Sequence, residues 1–369
     1  MHDLAVVGAG PAGSRLARGF AERGHDVVVL ERGAVGRPLA CSGHVSGDVW
    51  RYLPDGARDE LLQNRIRGAR FHVDGEDYAF YKDETVSYAI DRVGMDRVLA
   101  DAARDAGADV RTGRAVRDVE PDADGVTLRV ARGADDGDPP DADDVEDVRA
   151  RLVAGCDGPR STVRGSVGLP EPDEVLQGVL AFTDEDDGGD FVDVHLDVPG
   201  FFGWRIPRGD SVEYGAACER GAEAAFEEHV APDRELTRRC AGHIPVGPPA
   251  RTASVEDRTF LVGDAAGQTK PFTGGGILYG MRAADVAAEA IDPSDPATLE
   301  AYEAGWRDEL ARDIRLGGLI RRGYRLPSRV QRWGLRAFEG RIEVHMDRPS
   351  TLFNRRTARR VLSNLAGRR

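Results

Sequence analysis

The residues best placed to do chemistry come first in the chain. Gly8-Ala9-Gly10-Pro11-Ala12-Gly13 follows an apolar run, Leu4-Ala5-Val6-Val7. It precedes a stretch with helical spacing, Ser14 to Arg23, whose Leu16, Ala17 and Phe20 share one side. Gly24 ends that helix, and Val27-Val28-Val29-Leu30 makes a second buried strand that stops at Glu31. Strand, Gly-x-Gly-x-x-Gly, helix, strand, acid is the pattern that binds a dinucleotide. Gly8 permits the tight turn, Gly10 lets the backbone approach a pyrophosphate, and Gly13 lets helix and strand pack closely. The helix N-terminus faces phosphate charge. Glu31 can accept hydrogen bonds from a ribose.

Two later stretches narrow the dinucleotide. Ala154-Gly155-Cys156-Asp157-Gly158-Pro159-Arg160-Ser161 follows a predicted strand over 149–153. Gly263-Asp264-Ala265-Ala266-Gly267 ends a buried strand, and Pro271 and Gly274-Gly275-Gly276 lead into a predicted helix over 278–291. The Gly-Asp carboxylate suits a ribityl hydroxyl, and the glycines free backbone N–H groups to face a flavin and its pyrophosphate. Three motifs in this order, at these separations, resemble the FAD-dependent hydroxylase-like superfamily. That resemblance implies FAD as the cofactor.

The resemblance narrows further at two segments. Cys41-Ser42-Gly43-His44-Val45-Ser46 resembles the cysteine-containing loop of the geranylgeranyl reductases, with His44 standing where a small residue is frequent. Phe201-Phe202-Gly203-Trp204-Arg205-Ile206-Pro207, followed by Gly215, resembles their aromatic-x-Trp-x-Phe-Pro…Gly motif, with Phe202 for Tyr and Ile206 for Phe. Asp91-Arg92 before a helix over 95–106, and the run Met346 to Ser350, resemble further parts of that family. The likeness spans nearly the whole chain, the acidic insertion over 133–147 excepted. It implies an α/β fold: a Rossmann-like, hydroxylase-type FAD lobe (1–62, 91–168, 252–296), an antiparallel β-sheet substrate lobe (63–90, 169–251) and a C-terminal helical region (297–369).

The implied FAD contacts are Gly8, Gly10, Ala12, Gly13, Glu31, Cys41, Ser42, His44, Arg92, Val116, Asp157, Asp264, Gly276 and Ile277. Phe202, Trp204 and Pro207 would wall a prenyl chain, since aromatic side chains on an apolar strand suit an isoprenoid without polar handles; the other reading makes them core. Cys41 and His44 are the candidates for proton delivery. Cys41 is either functional or a buried thiol, and His44 either a second proton donor or a loop residue. The implied reaction is reduction of geranylgeranyl C=C bonds, foremost in archaeal digeranylgeranyl glycerophospholipids, by hydride from reduced flavin N5 plus a proton. The rivals are an aromatic monooxygenase, a reductase of a quinone's isoprenoid side chain, and a non-enzymatic prenyl carrier. Flavin-dependent halogenases carry a related Trp motif but need a catalytic lysine, for which the sequence offers Lys82. NAD(P)H or a ferredoxin-like protein would supply electrons.

Composition bounds the rest. At 369 residues the chain can build two lobes. Its net charge of −14 goes with acidic runs and only two lysines, Lys82 and Lys270, among 50 basic residues. Acid-rich, lysine-poor composition fits a halophile's cytosol; a GC-rich genome explains the arginines but not the acids. Residues 301–369 hold 17 Arg against 7 acids, an acidic body with a basic tail. The tail predicts helices over 299–325, 329–338 and 357–365. It either docks peripherally on anionic lipid at the cytoplasmic membrane face or covers the acidic body. Nothing points to a nucleic-acid partner. Cys41, Cys156, Cys218 and Cys240 lack metal-ligand spacing, so no metal is expected and a reducing compartment fits. No apolar run reaches the ~18 residues of a membrane span, and the immediate first strand leaves no room for a signal peptide.

Overall fold

The computed structural model describes residues 1–39, 41–133, 141, 144–341 and 345–352. The helix expected over 357–365 and most of the acidic insertion lie outside the described residues. In chain order the elements are β1 (His2–Val7), α1 (Pro11–Glu22), β2 (Val27–Leu30), β3 (His44–Ser46), α2 (Ala57–Leu61), β4 (Leu62–Ile66), β5 (Gly68–Val73), β6 (Glu76–Tyr81) and β7 (Ser87–Ile90). Then come α3 (Arg92–Asp105), β8 (Asp109–Arg111), β9 (Arg114–Pro121), β10 (Val126–Arg132), β11 (Val145–Gly155), α4 (Thr162–Ser166), β12 (Glu174–Thr183), β13 (Phe191–His195), β14 (Phe202–Pro207) and β15 (Val212–Cys218). Last are α5 (Ala222–His229), β16 (Arg238–Val246), β17 (Ala253–Ser254), β18 (Thr259–Leu261), α6 (Ile277–Ala290), α7 (Leu299–Arg322), α8 (Ser328–Phe338) and β19 (Gly340–Arg341).

The first sheet runs β17-β18-β11-β1-β2-β8, and β1 lies parallel to both β2 and β11. Strands buried on both faces must be apolar throughout, which is why Leu4–Val7 and Val27–Leu30 carry no polar residue. One face is covered by α1, α6 and α7, where Leu16, Phe20, Tyr279, Tyr302 and Trp306 pack with β1 and β18. Truncating Phe20 there would cost about 3–5 kcal/mol by cavity formation. α1 begins at Pro11, three residues before the expected start, because proline suits a first turn whose N–H groups are free in any case.

The second sheet, β16-β12-β15-β14-β13-β5-β6-β19, is antiparallel except at β13–β5 and β19–β6. β3, β7 and β4 form a small third sheet where the two larger ones meet. Periodicity finds such strands but not their partners. The alternation over 66–90 therefore divides between two sheets: β5 and β6 enter the large one, while β7 pairs with β3 and β4. α8 packs over the second sheet, where Tyr324, Leu335 and Phe338 rest on Phe71, Tyr78 and Phe80. Among the described residues no helix is long and apolar enough to cross a membrane.

Candidate functional site

A cavity of about 510 Å³ lies between the C-terminal ends of the parallel strands and the inner face of the second sheet. On the first side it is lined by Gly10, Pro11 and Ala12 at the head of α1, and by Asp264 and Gly274 to Leu278 at the head of α6. The local backbone explains the glycines. Gly8 has φ +100, and a Cβ there would stand 2.5 Å from the Cys156 carbonyl oxygen. A Cβ on Gly13 would reach 2.0 Å from the Gly8 carbonyl oxygen, so helix and strand touch through backbone alone. A Cβ on Gly10 would meet nothing within 4 Å: it borders open space. Gly10 caps α1 with no side-chain hydrogen bond and no acid in the first turn, which leaves those N–H groups for an anion. The Glu31 carboxylate accepts from Ala9 N at 2.8 Å and Gly33 N at 3.2 Å, tying the glycine turn to the end of β2. Burial nevertheless raises its pKa.

Asp264 and Arg92 are two of the ionisable groups at this end. Burial lifts the Asp264 carboxyl to about 6, against the pull of Arg92. A Cβ on Gly276 would crowd its Oδ1 to 2.3 Å, so the glycine is what admits the carboxylate. Burial works against the charge on Arg92, but Asp96, with which it forms an ion pair, and Cys41 outweigh that and raise its pKa. The Arg92 Nε is buried with no hydrogen-bond partner.

The other wall is mainly apolar, with Arg67, Lys82, Asp193 and His243 also bordering the cavity. Phe71, Phe80, Val192, Phe201, Phe202, Trp204 and Ile206 line it. Phe201 and Phe202 stack at 4.4 Å, and Tyr324 meets both edge-on. Trp204 stands opposite Gly215 on the neighbouring strand, and its indole occupies the space a side chain would need: a Cβ there would lie 2.2 Å from the ring. This accounts for the glycine that follows the aromatic motif.

Two buried ionic networks hold the walls together. Arg208 donates to the Ser42 carbonyl (2.6 Å), the Ile90 carbonyl (2.5 Å), Gln63 Oε1 (2.5 Å) and Glu213 Oε2 (2.8 Å). The other oxygen of Glu213 accepts from Trp204 Nε1 at 2.8 Å. One side chain thus joins the Cys41–His44 loop, the strand leading to Arg92, and the indole. Lys270 forms the second network. Its Nζ sits 2.5 Å from Asp347 Oδ1, both groups buried, and Tyr279 Oη donates to the Asp347 carbonyl at 3.0 Å. This clasp brings Met346 to the cavity wall.

Of the residues predicted from sequence, Gly10, Ala12, Cys41, Ser42, His44, Arg92, Asp264, Gly276, Ile277, Phe202 and Trp204 line the cavity together. Gly8, Gly13 and Glu31 stand behind it and shape the turn. Val116 is buried within β9 among core aliphatics and is not in the cavity wall. Asp157 spends one oxygen on Thr162 N and Val163 N at the start of α4, and its Oδ1 is buried without a partner. Pro207 ends β14, buried and off the wall. His44 Nε2 lies 2.8 Å from Ser87 Oγ, and burial, with Lys270 and Arg208 nearby, pushes its pKa down to about 4. It is neutral near pH 7. Lys82 lies on the wall, and so does Lys270, which sequence reasoning passed over. Its scarcity was the available signal. Arg208 and Glu213 offered none.

A parallel sheet that presents glycine turns and two helix N-termini to a cavity, with an apolar antiparallel sheet opposite, defines a two-lobed flavoprotein. The family model described as an FAD binding domain matches residues 1–239. The digeranylgeranylglycerophospholipid reductase of Methanothrix thermoacetophila is 32% identical over 345 residues, covering 85% of this chain and 84% of that protein. Among solved structures, a geranylgeranyl bacteriochlorophyll reductase-like protein from Thermoplasma acidophilum superposes with TM-score 0.77 at 21% identity, covering 99% of this chain and 96% of that one. A p-nitrophenol 4-monooxygenase from Pseudomonas putida shares the fold at TM-score 0.70 and 19% identity, covering 99% and 98%. The chain belongs to the digeranylgeranylglycerophospholipid reductase family of FAD-binding proteins.

FAD is its cofactor, and the residues present fit it. The open space at Gly10, the uncapped N-terminus of α1 and the partnerless Arg92 Nε are groups an anionic, polyhydroxylated ligand would satisfy.

Proposed function

We propose that this chain reduces geranylgeranyl C=C bonds, its substrate being a digeranylgeranyl glycerophospholipid. The observation that carries this is the cavity itself: the end lined by the glycine turns of α1 and α6 opens directly onto a wall of Phe71, Phe80, Phe201, Phe202 and Trp204. Five aromatic rings side by side suit a prenyl chain, which needs no polar partners along its length. The comparison points the same way, since the relative of 32% identity bears the name of this reaction.

When bound and reduced, FAD supplies hydride; the chain supplies alignment, dryness and a proton. The N-terminus of α1 with Gly10 and Ala12 would hold the pyrophosphate, and Asp264 with the turn at Gly276 and Ile277 would hold the ribityl end. Arg208 sets the Cys41–His44 loop against Trp204, so the alkene and the loop keep one spacing. His44, neutral and tied to Ser87, orients the loop and does not deliver a proton as an imidazolium. Cys41, beside Arg92 on the cavity wall, is the proton donor in this reading. NAD(P)H or a ferredoxin-like protein supplies electrons, and the enzyme meets its substrate at a membrane surface.

The test is anaerobic. Dithionite-reduced holoenzyme is mixed with geranylgeranylated phospholipid, and flavin reoxidation and lipid mass are followed together. Stoichiometric reoxidation with a gain of two hydrogens per turnover is expected. No reaction with lipid, together with NAD(P)H oxidation in air stimulated by a phenol, would replace this reading with a monooxygenase.

A further inference from the structure

The face that α8 turns outward matches nothing in the protein beneath it. Trp333 is 62% exposed, Leu326 47% and Val330 45%, and Leu319 at the end of α7 is exposed as well. Val330 and Trp333, three residues apart within α8, share one side of the helix, and Leu326 is exposed in the extended turn that leads into it. The opposite side of α8 is spent: Leu335 and Phe338 pack on Phe71, Tyr78 and Phe80, and Arg332 and Arg336 pair with Glu76. Between the outward apolar residues stand Arg322 and Arg329, both exposed, and neither has an ion-pair or hydrogen-bond partner among the described residues. Large apolar side chains led by an indole and interleaved with unpaired guanidinium groups make the footprint of a helix lying in a bilayer interface.

We propose that α8 and the end of α7 dock the enzyme flat on a bilayer of anionic lipid, with Trp333, Val330 and Leu326 entering the headgroup boundary and Arg322 and Arg329 meeting phosphates. The proposal rests on the reading that the substrate is a membrane lipid. The fold supports that placement. Phe80 and Tyr81 line the cavity, Tyr81 exposed at its edge, and β6, which carries them, pairs with β19 immediately after α8. A docked α8 therefore holds this edge of the cavity near the surface from which a prenyl chain would be drawn.

The experiment uses FAD-loaded full-length protein and vesicles of phosphatidylglycerol with phosphatidylcholine, at a salt concentration where circular dichroism shows it folded. Co-sedimentation should favour the anionic vesicles over pure phosphatidylcholine. Trp333→Ser should weaken binding about tenfold through loss of the interfacial indole. Arg322→Ala and Arg329→Ala should each weaken it about fivefold, the effect of one basic residue at such a surface. All three should keep the native rate on detergent-dispersed lipid and, at vesicle concentrations below saturation, slow on vesicle-held lipid in proportion to their weaker binding. Equal binding to both vesicle types, native-like binding by the variants, or a change in oligomeric state with Trp333→Ser would overturn the proposal, the last by making a second copy the occupant. The functional reading fails separately: a native enzyme that binds vesicles but never reduces dispersed lipid sinks the reaction and leaves the docking face standing.

Discussion

Asp264 shows what burying one carboxyl in the cavity wall costs the fold. Its pKa is about 6 in the folded chain against an ordinary 3.8, because burial disfavours the charge. A carboxyl raised on folding stabilises nothing once ionised: its full contribution is present below pH 3.8 and is lost as pH rises through 6. The penalty at neutral pH is on the order of 3 kcal/mol. Asp264→Asn should therefore raise the melting temperature of FAD-free protein at pH 8 and leave it unchanged at pH 3, while weakening FAD binding roughly ten- to a hundredfold. Calorimetry of the stripped protein and titration with FAD measure the two effects. A variant that binds FAD normally would remove the carboxylate from the cofactor's contacts. His44 has the opposite sign. Its pKa, about 4 against 6.5, gives stability that is present above pH 6.5 and lost as pH falls through 4. His44→Asn should flatten that acid limb and leave the shape of the rate profile between pH 5 and 8 unchanged. A rate step near 6.5 that vanishes in the variant would make His44 the acid after all.

Elements were legible where their causes are local. β1, the glycine turn, α1 and β2 lie within 30 residues, and turn chemistry, strand apolarity and helix spacing act at that range, so the sequence states them almost residue for residue. Arg208 was silent for the converse reason. Its partners Ser42 and Ile90 lie 166 and 118 residues away, and Lys270 meets Asp347 across 77. A charged residue in a turn or loop reads as solvated until the fold brings a carboxylate to it. The same distance explains why Arg208 can position three elements at once. Because Arg208 and Glu213 are both buried, removing either strands the other: Arg208→Met or Glu213→Leu alone should cost about 3–5 kcal/mol. The double variant should cost far less than the sum. Denaturant unfolding of the four proteins of the cycle measures the coupling. Arg208→Lys, which keeps charge but loses the planar fork, should fold better than Arg208→Met yet lower turnover on lipid. Simple additivity of the two single changes would reduce the pair to two unrelated side chains.

Across the whole molecule, charge is placed with a purpose that a sum conceals. The chain carries −14, while residues 301–369 hold 17 Arg against 7 acids. The acidic remainder repels itself, which favours expansion, and salt relieves that repulsion as the Debye length shrinks from about 10 Å at 0.1 M to about 3 Å at 1 M. The basic face of α8 works by attraction, and salt weakens attraction by the same screening. One KCl titration therefore has two readouts of opposite sign: the melting temperature of the enzyme should rise while its binding to anionic vesicles falls. The apolar part of the docking face sets the floor. Trp333, Val330 and Leu326 lose water on docking whatever the salt, so binding at about 1 M KCl should be weaker but present, and about tenfold weaker again in Trp333→Ser. If melting temperature and vesicle binding instead fell together, salt would be unfolding the protein, and the acidic body would not be the source of its instability. If binding were unchanged across the titration, Arg322 and Arg329 would not be meeting phosphates, and the indole alone would carry the contact.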